Sequence, residues 1–166
     1  MRQRYRRSSL GPFWLTMSTG MTIGTIALVF GQIFKSAASE FVPFLAIGII
    51  VWNLIAAVVT DACSGFISAE SIIRQLPIPL FVHVLRVIWR ILLILAQNLV
   101  ILPLVLLAVG KTVQWQALLA LPGLALAVLN LTWAALILSI LCARYRDLPQ
   151  IVASAVQVVF YLTPII

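Results

Sequence analysis

Few residues in this chain could carry acid, base or nucleophilic chemistry. There are four carboxylates, Glu40, Asp61, Glu70 and Asp147, one histidine, His83, and two cysteines, Cys63 and Cys142. His83 has no carboxylate near it in the sequence. The cysteines stand outside any CxxC or Cys/His cluster, so no metal set is indicated. There is no HExxH, no Gly-rich phosphate loop and no GxSxG. The expectation is a chain with no catalytic residue and no metal or cofactor of its own. Any ATP-driven function would need ATP and Mg on a separate partner chain. Asn130-Leu131-Thr132 spells a glycosylation sequon but falls inside an apolar run, which removes it from consideration. Cys63 and Cys142 lie near the ends of apolar runs, where small apolar filler is the plain reading and a disulfide is not expected.

Other residues are suited to hydrogen bonding or to charge. Ser18, Thr22, Thr25 and Gln32 recur at helical spacing in the first apolar run, with Gly20 and Gly24 forming a GxxxG. Ser154, Gln157 and Tyr161 share a face of the last run. Hydroxyls and glycines of this kind let helices pack closely in lipid. They would equally line a polar path for a hydrophilic solute, with Phe13, Trp14 and Phe30 available to stack on sugar faces. His83, Arg86 and Arg90 fall on one helical face. They admit two readings, snorkelling to lipid phosphates and contact with the anionic headgroup of a lipid-linked substrate. Residues 68–75 read as a short helix. Ser68 is its expected N-cap, Glu70 and Arg74 are four apart in the favourable order, Gln75 closes it, and Pro77 ends it. Such a helix is an ordinary connector or a handle that a partner grips.

The elements that must position these residues follow from composition. The chain is 63% hydrophobic and 9% charged, whereas a soluble domain carries charge on about a quarter of its residues. Its apolar residues come in runs, and lipid is the solvent that accepts them. The formal charge of +7 does not point to nucleic acid, because the Arg residues collect at the ends of those runs. The expected fold is all-α, a polytopic membrane helical bundle with four full spans at 10–34, 41–61, 80–109 and 117–142. A partial fifth follows at 151–166. Each full run reaches the roughly 20 residues that a crossing needs. The connections at 35–40 and 110–116 carry only Lys35 and Lys111. Arg2, Arg4, Arg6 and Arg7 in the 1–9 segment, Arg74 in 62–79, Arg86 and Arg90 at the start of the third run, and Arg144 and Arg146 in 143–150 mark the other side. The positive-inside rule makes that side, and the N-terminus, cytoplasmic. Trp115 is an expected interfacial aromatic. A cleavable signal peptide is the rival reading of the N-terminus. The length of its apolar stretch and Gln32 beside the would-be cleavage site count against it.

Several stretches taken in order resemble the permease subunits of bacterial ABC-type exporters of polysaccharide, O-antigen or teichoic acid. They are Arg4-Tyr5-Arg6-Arg7-Ser8-Ser9-Leu10-Gly11-Pro12-Phe13-Trp14, the Trp52-Asn53 pair, the loop at 68–79, Tyr145-Arg146-Asp147-Leu148, and Tyr161-Leu162-Thr163-Pro164-Ile165-Ile166. The resemblance implies a homodimer of permeases in the bacterial inner membrane with two ATP-binding subunits beneath. Ser68, Glu70, Arg74 and Gln75 would couple to the ATPase, and a lipid-linked O-antigen or capsular polysaccharide would be moved. The family has six spans, so the expectation is that this chain is a fragment or a truncated product. The alternatives are a non-transporting remnant, another multi-pass carrier, or a membrane enzyme of lipid-linked sugar metabolism. A carrier would need a buried acid within a span, and an enzyme would need convergent carboxylates.

Overall fold

The structure, a computed structural model, describes residues 13–34, 38–75, 79–110 and 119–163. These residues fold into seven helices: α1 (Phe13–Phe34), α2 (Ala38–Ser68), α3 (Glu70–Gln75), α4 (Leu80–Leu99), α5 (Ile101–Val109), α6 (Ala120–Arg144) and α7 (Leu148–Leu162). No strand occurs among them. Helices are what an apolar chain must form in lipid, because each backbone N–H and C=O then finds its partner within the segment. Three apolar stretches are long enough to cross a membrane, Phe41–Ser68, Leu80–Leu107 and Ala120–Arg144, while the described apolar parts of α1 and α7, Trp14–Val29 and Leu148–Leu162, are shorter. The protein is therefore an all-α, multi-pass membrane protein with three clear spanning helices. The basic residues before Trp14, the connections holding Lys35, Lys111 and Trp115, the loop prolines Pro77 and Pro164, and the final Ile165-Ile166 lie outside the described residues.

The helix of the second apolar run does not stop at Asp61. α2 continues to Ser68, and its polar residues are absorbed by its own backbone. Thr60 Oγ1 donates to the Ala56 carbonyl at 2.7 Å, Ser64 Oγ to Asp61 at 3.0 Å and Ser68 Oγ to Gly65 at 3.1 Å. Ser68 accordingly closes α2 and does not cap the short helix after it. A serine hydroxyl can serve either end of a helix, and here the preceding turn wins it.

The third span begins at Leu80 and is broken at Val100, between α4 and α5. Pro103 explains the break, since it brings no N–H to the Leu99 carbonyl one turn back. The chain re-enters a helix and ends it at Gly110, whose φ of 72° lets its N–H reach the Leu106 and Leu107 carbonyls. At the far end of α6, Arg144 lies beside the carbonyl pole of the helix. A tight turn over Tyr145-Arg146-Asp147 then leads into α7, with Leu148 N–H donating to Tyr145 O at 3.3 Å.

The described helices divide between two compact units. One holds α1, α2 up to Trp52, the end of α4 from Leu92, and α5. Its core is Ile23, Leu45, Ala46, Ile49, Ile50, Leu95, Asn98 and Ile101. The other holds α2 from Asn53, α3, α4 up to Ile91, α6 and α7. Its core is three stripes at helical spacing: Leu54, Val58, Ala62 and Phe66 on α2, Val84, Ile88 and Ile91 on α4, and Ala135, Ser139 and Cys142 on α6.

Candidate functional site

The second unit gathers the features that could do work. Its α6 stripe is made of small residues, which permits close approach to another helix. Ser139, 1% exposed, crosses the gap and donates to the Ala62 carbonyl of α2 at 2.8 Å, a link over 77 residues of sequence. Cys63 and Cys142 lie buried on the same two helices as free thiols. Gly65 sits one turn beyond Asp61. A Cβ placed on it would stand 3.5 Å from Ser139 Oγ and 3.7 Å from Val87 Cγ2, so α6 and α4 both reach α2 at that level.

An ion pair ties α4 to α2. Arg90 of α4 donates to Asp61 Oδ2 of α2 at 2.7 Å, with each side chain about a third exposed. The position of the pair along the helices is informative. The pair stands where two uncharged runs, 41–60 and 91–110, meet a charge. Beyond Asp61, α2 continues for about 10 Å of helix to Ser68 before α3 begins.

α3 is joined to α2 by a single turn residue, Ala69, whose N–H donates to Phe66 O at 3.2 Å and whose carbonyl accepts from Ile73 at 2.9 Å. Its first turn carries Glu70, which suits the positive pole of a helix. Gln75 is exposed. The side chain of Arg74, and so its expected pairing with Glu70, lies outside the described residues.

The other residues singled out from the sequence do not converge here. Of the basic face on α4, His83 is buried with Nε2 lacking a hydrogen-bond partner, Arg90 is held by Asp61, and Arg86 is exposed. Trp14, Ser18, Thr22 and Thr25 of α1 are exposed, and Thr22 Oγ1 donates to Ser18 O at 3.0 Å. The side chains of Phe13 and Phe30 lie outside the described residues. Gly20 and Gly24 have nothing within 4 Å of where a Cβ would stand. On α7, Ser154, Gln157 and Tyr161 are exposed. The sequon residues serve their own helix, with Asn130 donating to Leu126 O and Thr132 to Val128 O.

Asp61, Ser139 and Gly65 were not visible as a set from sequence. The available signals were an acid at the end of an apolar run and small residues at helical spacing on the fourth. Among the described residues no group of three or more His, Cys, Asp or Glu side chains is gathered to hold a metal ion. The family model described as ABC-2 type transporter matches residues 1–166, the whole chain. No curated protein and no solved structure matches it.

Proposed function

The chain belongs to the ABC-2 type transporter family, and from that premise we propose that it is the membrane permease of an ATP-driven exporter. Its cargo would be a lipid-linked polysaccharide, an O-antigen or a capsular chain, moved across the bacterial inner membrane. The observation that carries the reading is α3, a six-residue helix set between two long apolar helices. A helix so placed gives a separate ATPase a point at which to push, and Ser68, Glu70, Arg74 and Gln75 are the residues proposed to meet it. ATP and Mg belong to that partner chain. The order of stretches from Arg4 to Trp14 and from Tyr145 to Leu148 supports the polysaccharide cargo.

In this reading the N-terminus is cytoplasmic, and α1 and the last run, 151–166, are further spans. Two copies pair, and residues of α1 and α7 line the path: Phe13, Trp14, Ser18, Thr22, Thr25 and Phe30 on one, Ser154, Gln157 and Tyr161 on the other. In the basic set at the start of α4, Arg86 is the residue left open to a lipid headgroup.

The test uses the chain co-expressed with its ATPase in a host lacking its own permease. A cysteine in place of Arg74 is expected to cross-link to the ATPase. The double variant Glu70→Arg with Arg74→Glu is expected to hydrolyse ATP without delivering polysaccharide to the cell surface, at unchanged membrane levels. Normal surface polysaccharide in the double variant would refute the coupling role. A different molecule exported, with polysaccharide unmoved, would refute the cargo.

A further inference from the structure

We propose that Asp61, Arg90 and Ser139 are the positioning residues that make the three helices behind α3 respond to the ATPase as one body. This rests on the coupling role given above to α3, and it names what that role requires elsewhere in the chain. A push on a short helix does no transport work if the helices on either side of it yield separately. α3 is continuous with α2 through one turn residue and is followed by α4. Force entering at α3 therefore arrives on both, with the end of α2 about 10 Å of helix from Asp61.

At Asp61, α2 and α4 are joined side chain to side chain by its ion pair with Arg90 at 2.7 Å. One residue further along α2, the Ala62 carbonyl takes the Ser139 hydroxyl of α6 at 2.8 Å. The two bonds lie in one layer, on adjacent residues of α2. Gly65, one turn nearer α3, leaves both neighbouring helices room to close on α2, with Ser139 Oγ and Val87 Cγ2 in van der Waals reach. Neither bond is needed to solve a local problem. Arg90 at a headgroup boundary could snorkel alone, and Ser139 could have bonded back to its own helix, as Thr132 does. Each is spent instead on a link between helices.

The layer also explains why an acid stands at the end of the second apolar run. Asp61 is the first charge after the uncharged run 41–60 and is about a third exposed, so its carboxylate stays partly solvated while it holds its neighbour.

The experiment uses the complete permease–ATPase complex in vesicles and measures cargo moved per ATP hydrolysed. Asp61→Asn, Arg90→Gln and Ser139→Ala are each expected to lower that ratio about fivefold, the factor that loss of one ion pair or hydrogen bond of this kind corresponds to. The exchange Asp61→Arg with Arg90→Asp restores the pair in reverse and is expected to recover most of the ratio. A purely structural role would lower membrane levels and both activities together, and leave the ratio alone. Should the neutral variants fail to reach the membrane, Asp61→Glu keeps the charge on a longer arm and is expected to give an intermediate ratio. A ratio at the parent's value in the single variants, or no recovery in the exchange, overturns the proposal. A cysteine in place of Arg74 that does not reach the ATPase in the parent complex removes the coupling role of α3 itself, and the clamp with it.

Discussion

Replacing Ser139 separates two contributions that meet at one atom. Its Oγ donates to Ala62 O at 2.8 Å and lies 3.5 Å from the place a Gly65 Cβ would take, in a residue 1% exposed. Ser139→Ala removes the bond and leaves the packing. Hydrogen bonds between membrane helices average about 0.6 kcal/mol and reach about 1.7, so a loss of about 1 kcal/mol is expected. Ser139→Leu removes the bond and also drives a branched side chain against a glycine surface that has no room to recede. Overpacking of this kind costs about 1–3 kcal/mol, which puts the leucine variant about 2–4 kcal/mol below the parent. Reversible unfolding in bicelles by titrated SDS reads both values from the shift in midpoint. Equal stability of the alanine and leucine variants would refute the close approach of α6 to α2 at Gly65. A leucine variant as stable as the parent would refute the buried contact altogether.

Three further outcomes can be checked. Gly110 ends α5 with φ 72° and donates to Leu106 and Leu107, so Gly110→Ala should cost about 1 kcal/mol in the same titration, and a neutral result would place that turn in another conformation. Cys63 and Cys142 are 1% and 0% exposed, so a membrane-permeant maleimide should label neither until the protein is denatured, and prompt labelling of either would contradict the close packing of α2 and α6. A reporter fused after Gly110 should be external and one after Arg146 cytoplasmic, and the opposite pair of signals would invert the proposed orientation.

The apolar runs made the second to fourth spans legible, because the demand for internal hydrogen bonding is a property of composition and length. Where those spans end was less so. Asp61 reads as a stop, yet a charge at the end of an apolar run does not break a helix, and α2 continues to Ser68 with its hydroxyls bonded back to the turn before. Pro103 stood inside the third run as a visible signal for the break at Val100. The candidate site was harder to read. Arg90 looked like a member of a basic face directed at headgroups, and its partner stands 29 residues away on another helix. Periodicity along one helix carries no information about which side chain on a second helix will face it. Ser139 is a similar case, one small residue among many in an apolar run until Ala62 is known to oppose it.

The place of the Asp61–Arg90 pair, at the charged end of two long uncharged runs, has a consequence for the lipid around the protein. In the proposed orientation a headgroup boundary would lie at that pair, which would then be a mark against which the bilayer is gauged. Lipids with longer acyl chains would draw the mark toward oil or oblige α2 and α4 to stand more upright, and shorter chains would allow them to lean. Each ångström of mismatch costs only a fraction of a kcal/mol. The ion pair would bear that small elastic load, which would make acyl-chain length a variable of its strength, as much as either of its two residues.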